Sequence, residues 1–254
     1  KGPISQTTMQ YARVVVNLAG FTAAGRVFAA QRMILVTGQN YVASPLPLAP
    51  HTLGAVLATN RLVAGDTEAA ATVVDFWDQT TQTLGARYFV SSAAGFPGWR
   101  KADDYQDGNE LALDAAKGMI LTVRPGSGTA TNYVVGPLPR AAQAQTVQNN
   151  GYTLACSPFP VAVSPANANL TGSGFVGGTS LVTSDNLLLF NPATQQFDVK
   201  LWYDTTTGVW RDHTGAEATQ PLQPGTSFLI RRRNRGSHFT WTNPVPYNVE
   251  EVWP

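Results

Sequence analysis

The chain has 254 residues, enough for one large domain or two of ordinary size, and a hydrophobic fraction of 43% supplies a substantial core. Only 13% of residues are charged, against roughly a quarter in an average soluble domain, and the net charge is +1. That balance excludes the strong field a nucleic-acid or acidic-membrane partner needs, and it leaves little repulsion against self-association.

The chain opens Lys1-Gly2-Pro3 without Met, which suggests a processed product. A polar stretch, Ile4–Thr8, precedes Tyr11–Leu18, where Tyr11, Val14, Val15, Val16 and Leu18 are strongly strand-forming. A β-prone arm of this kind must pair somewhere, because an unpaired edge strand is a sticky template. It is expected either as an extra edge strand on its own chain or as a donor strand to a neighbouring subunit.

Beyond residue 30, short runs of Val, Leu, Phe, Tyr and Trp recur between Gly, Pro and Asn signals. Strands are predicted at Arg32–Thr37, Tyr41–Ser44, Thr72–Trp77, Ala86–Val90, Met119–Arg124 and Asn132–Val135. Later ones are predicted at Thr153–Ser157, Asn186–Phe190, Val199–Tyr203, Ser227–Arg232 and His238–Thr242. Turn formers at Asp78–Thr81 and Asn191–Thr194 join two strands each. Val63–Ala71 and Leu111–Lys117 are the candidate short helices.

These elements come in two copies. Adding 113 carries Ser44–Pro47 onto Ser157–Pro160, and Trp77, Asp78, Thr81 and Gln82 onto Phe190, Asn191, Thr194 and Gln195. An offset of 111 pairs Trp99-Arg100 with Trp210-Arg211. An offset of 107 pairs Gly118 with Gly225, Arg124 with Arg231, and Gly136–Pro139 with Asn243–Pro246. The chain therefore reads as all-β: a tandem duplication of an antiparallel β-sandwich or barrel-like module. The expected divisions are an arm at 1–30, modules at 31–140 and 144–247, and a tail at 248–254.

Candidate chemistry is sparse. His51, His213 and His238 lie far apart, and no nucleophile elbow or phosphate-binding loop is present, so no catalytic residue and no cofactor is expected. Asp103, Asp104, Asp107 and Glu110 cluster around Gly108 and are a candidate Ca²⁺ set, against the plainer reading of a solvated loop. Trp99 and Trp210 are expected as core plugs, with exposed platforms for a glycan as the alternative. Asn169-Leu170-Thr171 fits an N-glycosylation acceptor. The basic run Arg231–Arg235 alternates between strand faces rather than forming one patch. Cys156 is the only cysteine, so no intrachain disulfide forms, and its apolar neighbours suggest a core residue. No apolar run approaches the roughly 20 residues of a membrane span.

The repeated pattern resembles a family of uncharacterised secreted bacterial proteins. Its features here are Ser44–Pro47, Trp77–Gln82, Trp99 and Lys117-Gly118, then Ser157–Pro160, Phe190–Gln195, Trp210 and Pro224-Gly225. Copy one departs from the pattern in carrying Lys117 where Pro would stand. The resemblance implies export and a surface role and names no substrate. The combined expectation is a non-enzymatic, extracellular or cell-surface structural protein. It self-assembles into a filament or surface layer through its arm, with itself as partner. The alternative is a carbohydrate-binding or adhesive module using exposed aromatics.

Overall fold

Alternation of buried and exposed side chains, punctuated by glycines of positive φ, makes this chain a succession of short antiparallel strands. The computed structural model describes residues 28–247 except 48, 49, 115, 116 and 127. The arm residues Tyr11, Val14, Val15, Val16 and Leu18, and the tail 248–254, lie outside the described residues.

The first copy contains β1 (Phe28–Leu35), β2 (Gly38–Val42), a single helical turn α1 (Leu53–Val56), β3 (Val73–Asp78), β4 (Thr83–Ser91), β5 (Gly98–Lys101), β6 (Met119–Val123) and β7 (Ala130–Pro137). The second contains β8 (Gln143–Val147), β9 (Gly151–Cys156), α2 (Leu170–Ser173), β10 (Asn186–Asn191), β11 (Gln196–Asp204), β12 (Val209–Arg211), β13 (Ser227–Arg232) and β14 (Phe239–Asn243). A five-stranded sheet runs β2-β6-β3-β4-β5 in one copy and β9-β13-β10-β11-β12 in the other. Each has beside it a two-stranded ribbon, β1-β7 or β8-β14. The two topologies are identical strand for strand, and neither sheet closes into a barrel.

The ribbon covers one face of its sheet. Ala29, Met33 and Val134 of the first ribbon pack with Val74, Phe76, Tyr88 and Leu121. Val147 and Trp241 of the second pack with Leu187, Leu201, Phe228 and Ile230. The amide of Gln31 donates to the Ala43 carbonyl at 3.2 Å, and that of Gln145 donates to Cys156 at 2.7 Å. These are the same bond made twice, between ribbon and sheet edge. β1 thus begins at Phe28, inside the stretch expected to lack a counterpart, and β8 matches it.

Two sequence readings are corrected. Neither candidate helix forms among the described residues. At 63–71, the Val63 carbonyl accepts from Thr72 at 2.8 Å, Gly65 bridges Ser91, and Ala70 closes a turn on Thr67. At 111–117, Ala112 bridges Thr52, and Leu113 donates to His51 at 2.8 Å. Tertiary pairing overrides the helical propensity of the alanines in both segments. The offset of 107 at Gly118–Arg124 is also a slip. β3 pairs Val74 with Leu121, while β10 pairs Leu187 with Ile230, so the true offset there is 109. A two-residue slip keeps every side chain on its face, which is why hydrophobic pattern alone tolerates it. The counterpart of Arg124 is therefore Arg233. Arg124 donates to the carbonyls of Ala71 and Glu68; Arg233 donates to those of Ser184 and Leu181, each 113 residues on.

Candidate functional site

The residues singled out in the sequence do not converge. Trp99 and Trp210 are buried at 0% and 4% exposure; Trp99 Nε1 donates to Leu57 at 2.8 Å, and Trp210 packs 5.0 Å from Phe175. Neither leaves a face for a sugar, so the platform reading fails at both positions. In the acidic loop, Asp104 accepts from Lys101 and from the Gln106 amide, Asp103 lies 3.9 Å from the same ammonium, and Asp107 accepts twice from Asn109. These carboxylates point to separate partners and Glu110 is exposed; among the described residues no group of three acids, histidines or cysteines is placed to hold a metal. The Asn169 amide folds back to donate to Thr242 at 2.9 Å and so ties α2 to β14.

The basic run turns inward. Asp185 is fully buried and accepts from Arg232 at 3.2 Å, from Arg235 at 3.0 Å and from the Val176 amide at 2.9 Å. Arg231 sits over the Tyr152 ring. Cys156 is buried, and desolvation pushes its thiol up to about 12.

What the fold does bring together is the junction of the two copies. Gln82 leaves its turn at φ 59°, accepts from the Tyr152 amide at 2.6 Å and donates to the Tyr152 carbonyl at 2.9 Å. Gln195, at φ 58°, accepts from the Gln39 amide at 2.6 Å and donates to the Gln39 carbonyl at 3.1 Å. Tyr152 is the counterpart of Gln39, so each copy clamps the edge strand of the other. Gly38 and Gly151, at φ +97° and +80°, stand where a Cβ would strike the clamping side chain. Two reciprocal bridges, Val42 to Thr226 and Ala155 to Lys117, continue the junction. Gly118 meets its own counterpart, Ser227, which places the pseudo-two-fold axis between them. Tyr247 closes the far side, donating to the Pro139 carbonyl at 2.7 Å and stacking edge-on against Phe159.

The two halves of this junction differ in filling. In one, Tyr41 packs 4.5 Å from Phe190 and 5.0 Å from Phe197. In the other, Leu154, Trp77 and Leu84 hold the matching positions, and an open cleft of ≈ 740 Å³ lies between the β3–β4 hairpin and strands β8 and β9. Trp77 Nε1 donates to the Tyr152 carbonyl at 3.0 Å, which fixes the indole at the cleft's edge. Asp78 and Lys117 also line it. Hydrogen bonds from the Thr80 and Thr81 amides hold the Asp78 carboxyl below its usual range, and Lys117 adds a smaller pull in the same direction.

A second asymmetry lies on the ribbons. The outward face of β1–β7 exposes Ile34 (45%), Tyr133 (64%) and Val135 (54%). At the places of Tyr133 and Val135, β14 carries Thr240 and Thr242. Sequence reasoning recognised the Thr-Gln turn as shared but missed its reach across the junction. Two matching Gly residues 113 apart, Gly38 and Gly151, were the available signal. No family model, curated protein or solved structure matches the chain.

Proposed function

We propose that this chain is an extracellular structural protein that assembles with copies of itself into a filament or surface layer. The outward face of the β1–β7 ribbon, where exposed apolar side chains surround Arg32, carries the reading. Ile34, Tyr133 and Val135 form a patch that the other copy of the same fold replaces with threonines at the two β14 positions. β1 pairs only with β7 among the described residues, so the ribbon also offers a strand edge. The proposed occupant is the segment 11–18 of a second copy, whose Tyr11, Val14, Val15, Val16 and Leu18 suit strand addition. A head-to-tail contact of this kind propagates into a filament when its rotation does not close into a ring. The low charge and the secreted-family resemblance support an extracellular setting.

Electron microscopy and light scattering on the full chain, on a chain lacking residues 1–27 and on a Tyr133→Thr, Val135→Thr double variant test this. Filaments from the full chain and folded monomers from the other two are expected. A full chain that stays monomeric across concentration overturns the proposal, and so does assembly that survives loss of the arm.

A further inference from the structure

From the asymmetry of the junction we infer that the open cleft between the copies is a binding site for a neutral oligosaccharide. This does not rest on the assembly reading, since the cleft and the β1–β7 ribbon are separate surfaces.

The duplication supplies an internal control. One backbone arrangement occurs twice about the Gly118–Ser227 axis, and only one half is plugged. The open half is not merely under-filled. Asp78 stands where the plugged half has Asn191, and Lys117 stands where it has Thr226. Both charges thus occur on the open side only, and both line the cleft. A Coulombic role in holding the copies together would call for them on both sides. The turn does not require the carboxylate either: Asn191 accepts from the Ala193 amide as Asp78 accepts from Thr80, at 3.0 and 2.8 Å.

The lining defines the ligand. The cleft's volume falls within the roughly 300–1,000 Å³ of small-ligand sites. Trp77, half-buried at the rim, supplies apolar ring surface, while Phe76 and Tyr88 are buried core rings at the cleft's base, with the Lys117 ammonium 5.8 Å over the Phe76 ring. Thr146 and Gln79 add donors and acceptors, and Asp114 adds a second carboxylate to Asp78 and Lys117. Two carboxylates and an ammonium in one lining disfavour a strongly anionic ligand. Leu111, Leu113, Met119 and Leu154 share the lining with these polar groups, so the cleft is amphipathic. A pyranose with an apolar C–H face and a rim of hydroxyls suits this lining: the Trp77 indole takes the face, while Asp78 accepts from hydroxyls and Lys117 donates to them.

The test is a glycan array of neutral and acidic oligosaccharides probed with the full chain, then calorimetric titration of the tightest binder. Asp78→Asn and Lys117→Thr, each importing the residue of the plugged half, are expected to weaken binding about tenfold, the loss of one charge-assisted hydrogen bond. Leu154→Tyr imports the Tyr41 plug and is expected to abolish binding. Thermal melting checks the fold of each variant, and Asp78→Asn serves if the bulkier Leu154→Tyr fails to fold. Asn191→Asp, on the plugged side, is expected to leave affinity unchanged. Retention of no neutral oligosaccharide overturns the inference. So does retention of acidic glycans alone, or a neutral ligand held equally by the Asp78→Asn and Lys117→Thr variants.

Discussion

The two halves of the junction share their backbone contacts and differ in the side chains behind them. Gln82 and Gln195 make the same pair of bonds to Tyr152 and Gln39, and Gly38 and Gly151 leave the same space for them. Behind the clamps, three aromatic rings fill one half and a cleft occupies the other. In an isologous contact every shared residue acts twice, so altering its type changes both halves. In a fused duplication each copy drifts separately. What the copies share therefore marks what holds the modules together, and what they do not share marks where each half acquired its own surface.

The same contrast governs the loops that Arg124 and Arg233 anchor. In copy one the anchored position is Thr72, buried, with its hydroxyl accepting from the Arg124 amide at 3.4 Å. In copy two it is Asp185, buried with Arg232 and Arg235. Removing one partner of a buried ion pair strands the others, which costs about 3–5 kcal/mol. Losing a neutral hydrogen bond costs about 1 kcal/mol. Urea unfolding should thus show Asp185→Ala destabilised several times more than Thr72→Ala. Equal losses would mean that the two loops are held by their shared arginines alone.

At the axis the asymmetry is forced by space. A Cβ on Gly118 would lie 2.5 Å from that of Ser227 and 2.8 Å from Leu154. Gly118→Ser makes the two residues identical, and the overpacking should cost about 1–3 kcal/mol. A neutral thermal melt for that variant would show that the modules separate readily at this point.

Cys156 sharpens the comparison by chemistry, since copy one carries Ala43 at its place. Burial raises the thiol from its ordinary 9.0 to about 12, so between those values the unfolded chain releases a proton that the folded chain keeps. Stability should be unaffected below pH 9 and fall above it, by about 1.4 kcal/mol per unit at most. A Cys156→Ala variant should lack that term. Guanidinium unfolding of both proteins at pH 8 and pH 10 reads the difference, and parallel losses would place the thiol in contact with water.

Much of this architecture was legible in the sequence, and the rest was hidden for identifiable reasons. The all-β class and the repeat follow from aromatic runs and turn residues that recur at fixed spacing. Strands β5, β8 and β12 escaped notice: two are very short, and Gln143–Val147 carries too few apolar residues to announce itself. The β6–β13 register slipped by two because a period-two pattern is blind to such a shift. The cleft was invisible for a different reason. It is made by residues 76–80, 85, 86, 88, 111–114, 117–119, 144–146, 153 and 154, and only the folded junction brings them together. The departure at Lys117 was visible as a break in the repeat, but its place in the same cleft as Asp78 was not.

The smallest expected effect bears most directly on what joins the modules. Gln82 is half-buried and Gln195 is exposed, although their bonds are nearly the same length. Water competes more freely for the second pair. Gln82→Ala should therefore cost about 1 kcal/mol and Gln195→Ala about 0.5 kcal/mol. The double variant tests whether the clamps act on one junction. If the copies dock as a unit, loss of one clamp loosens the other, and the double variant should fall short of or exceed the sum of the singles. Strict additivity in a double-mutant cycle would mean that each turn grips its strand independently, with the bridges at Val42 and Ala155 and the Tyr247 closure carrying the docking between them.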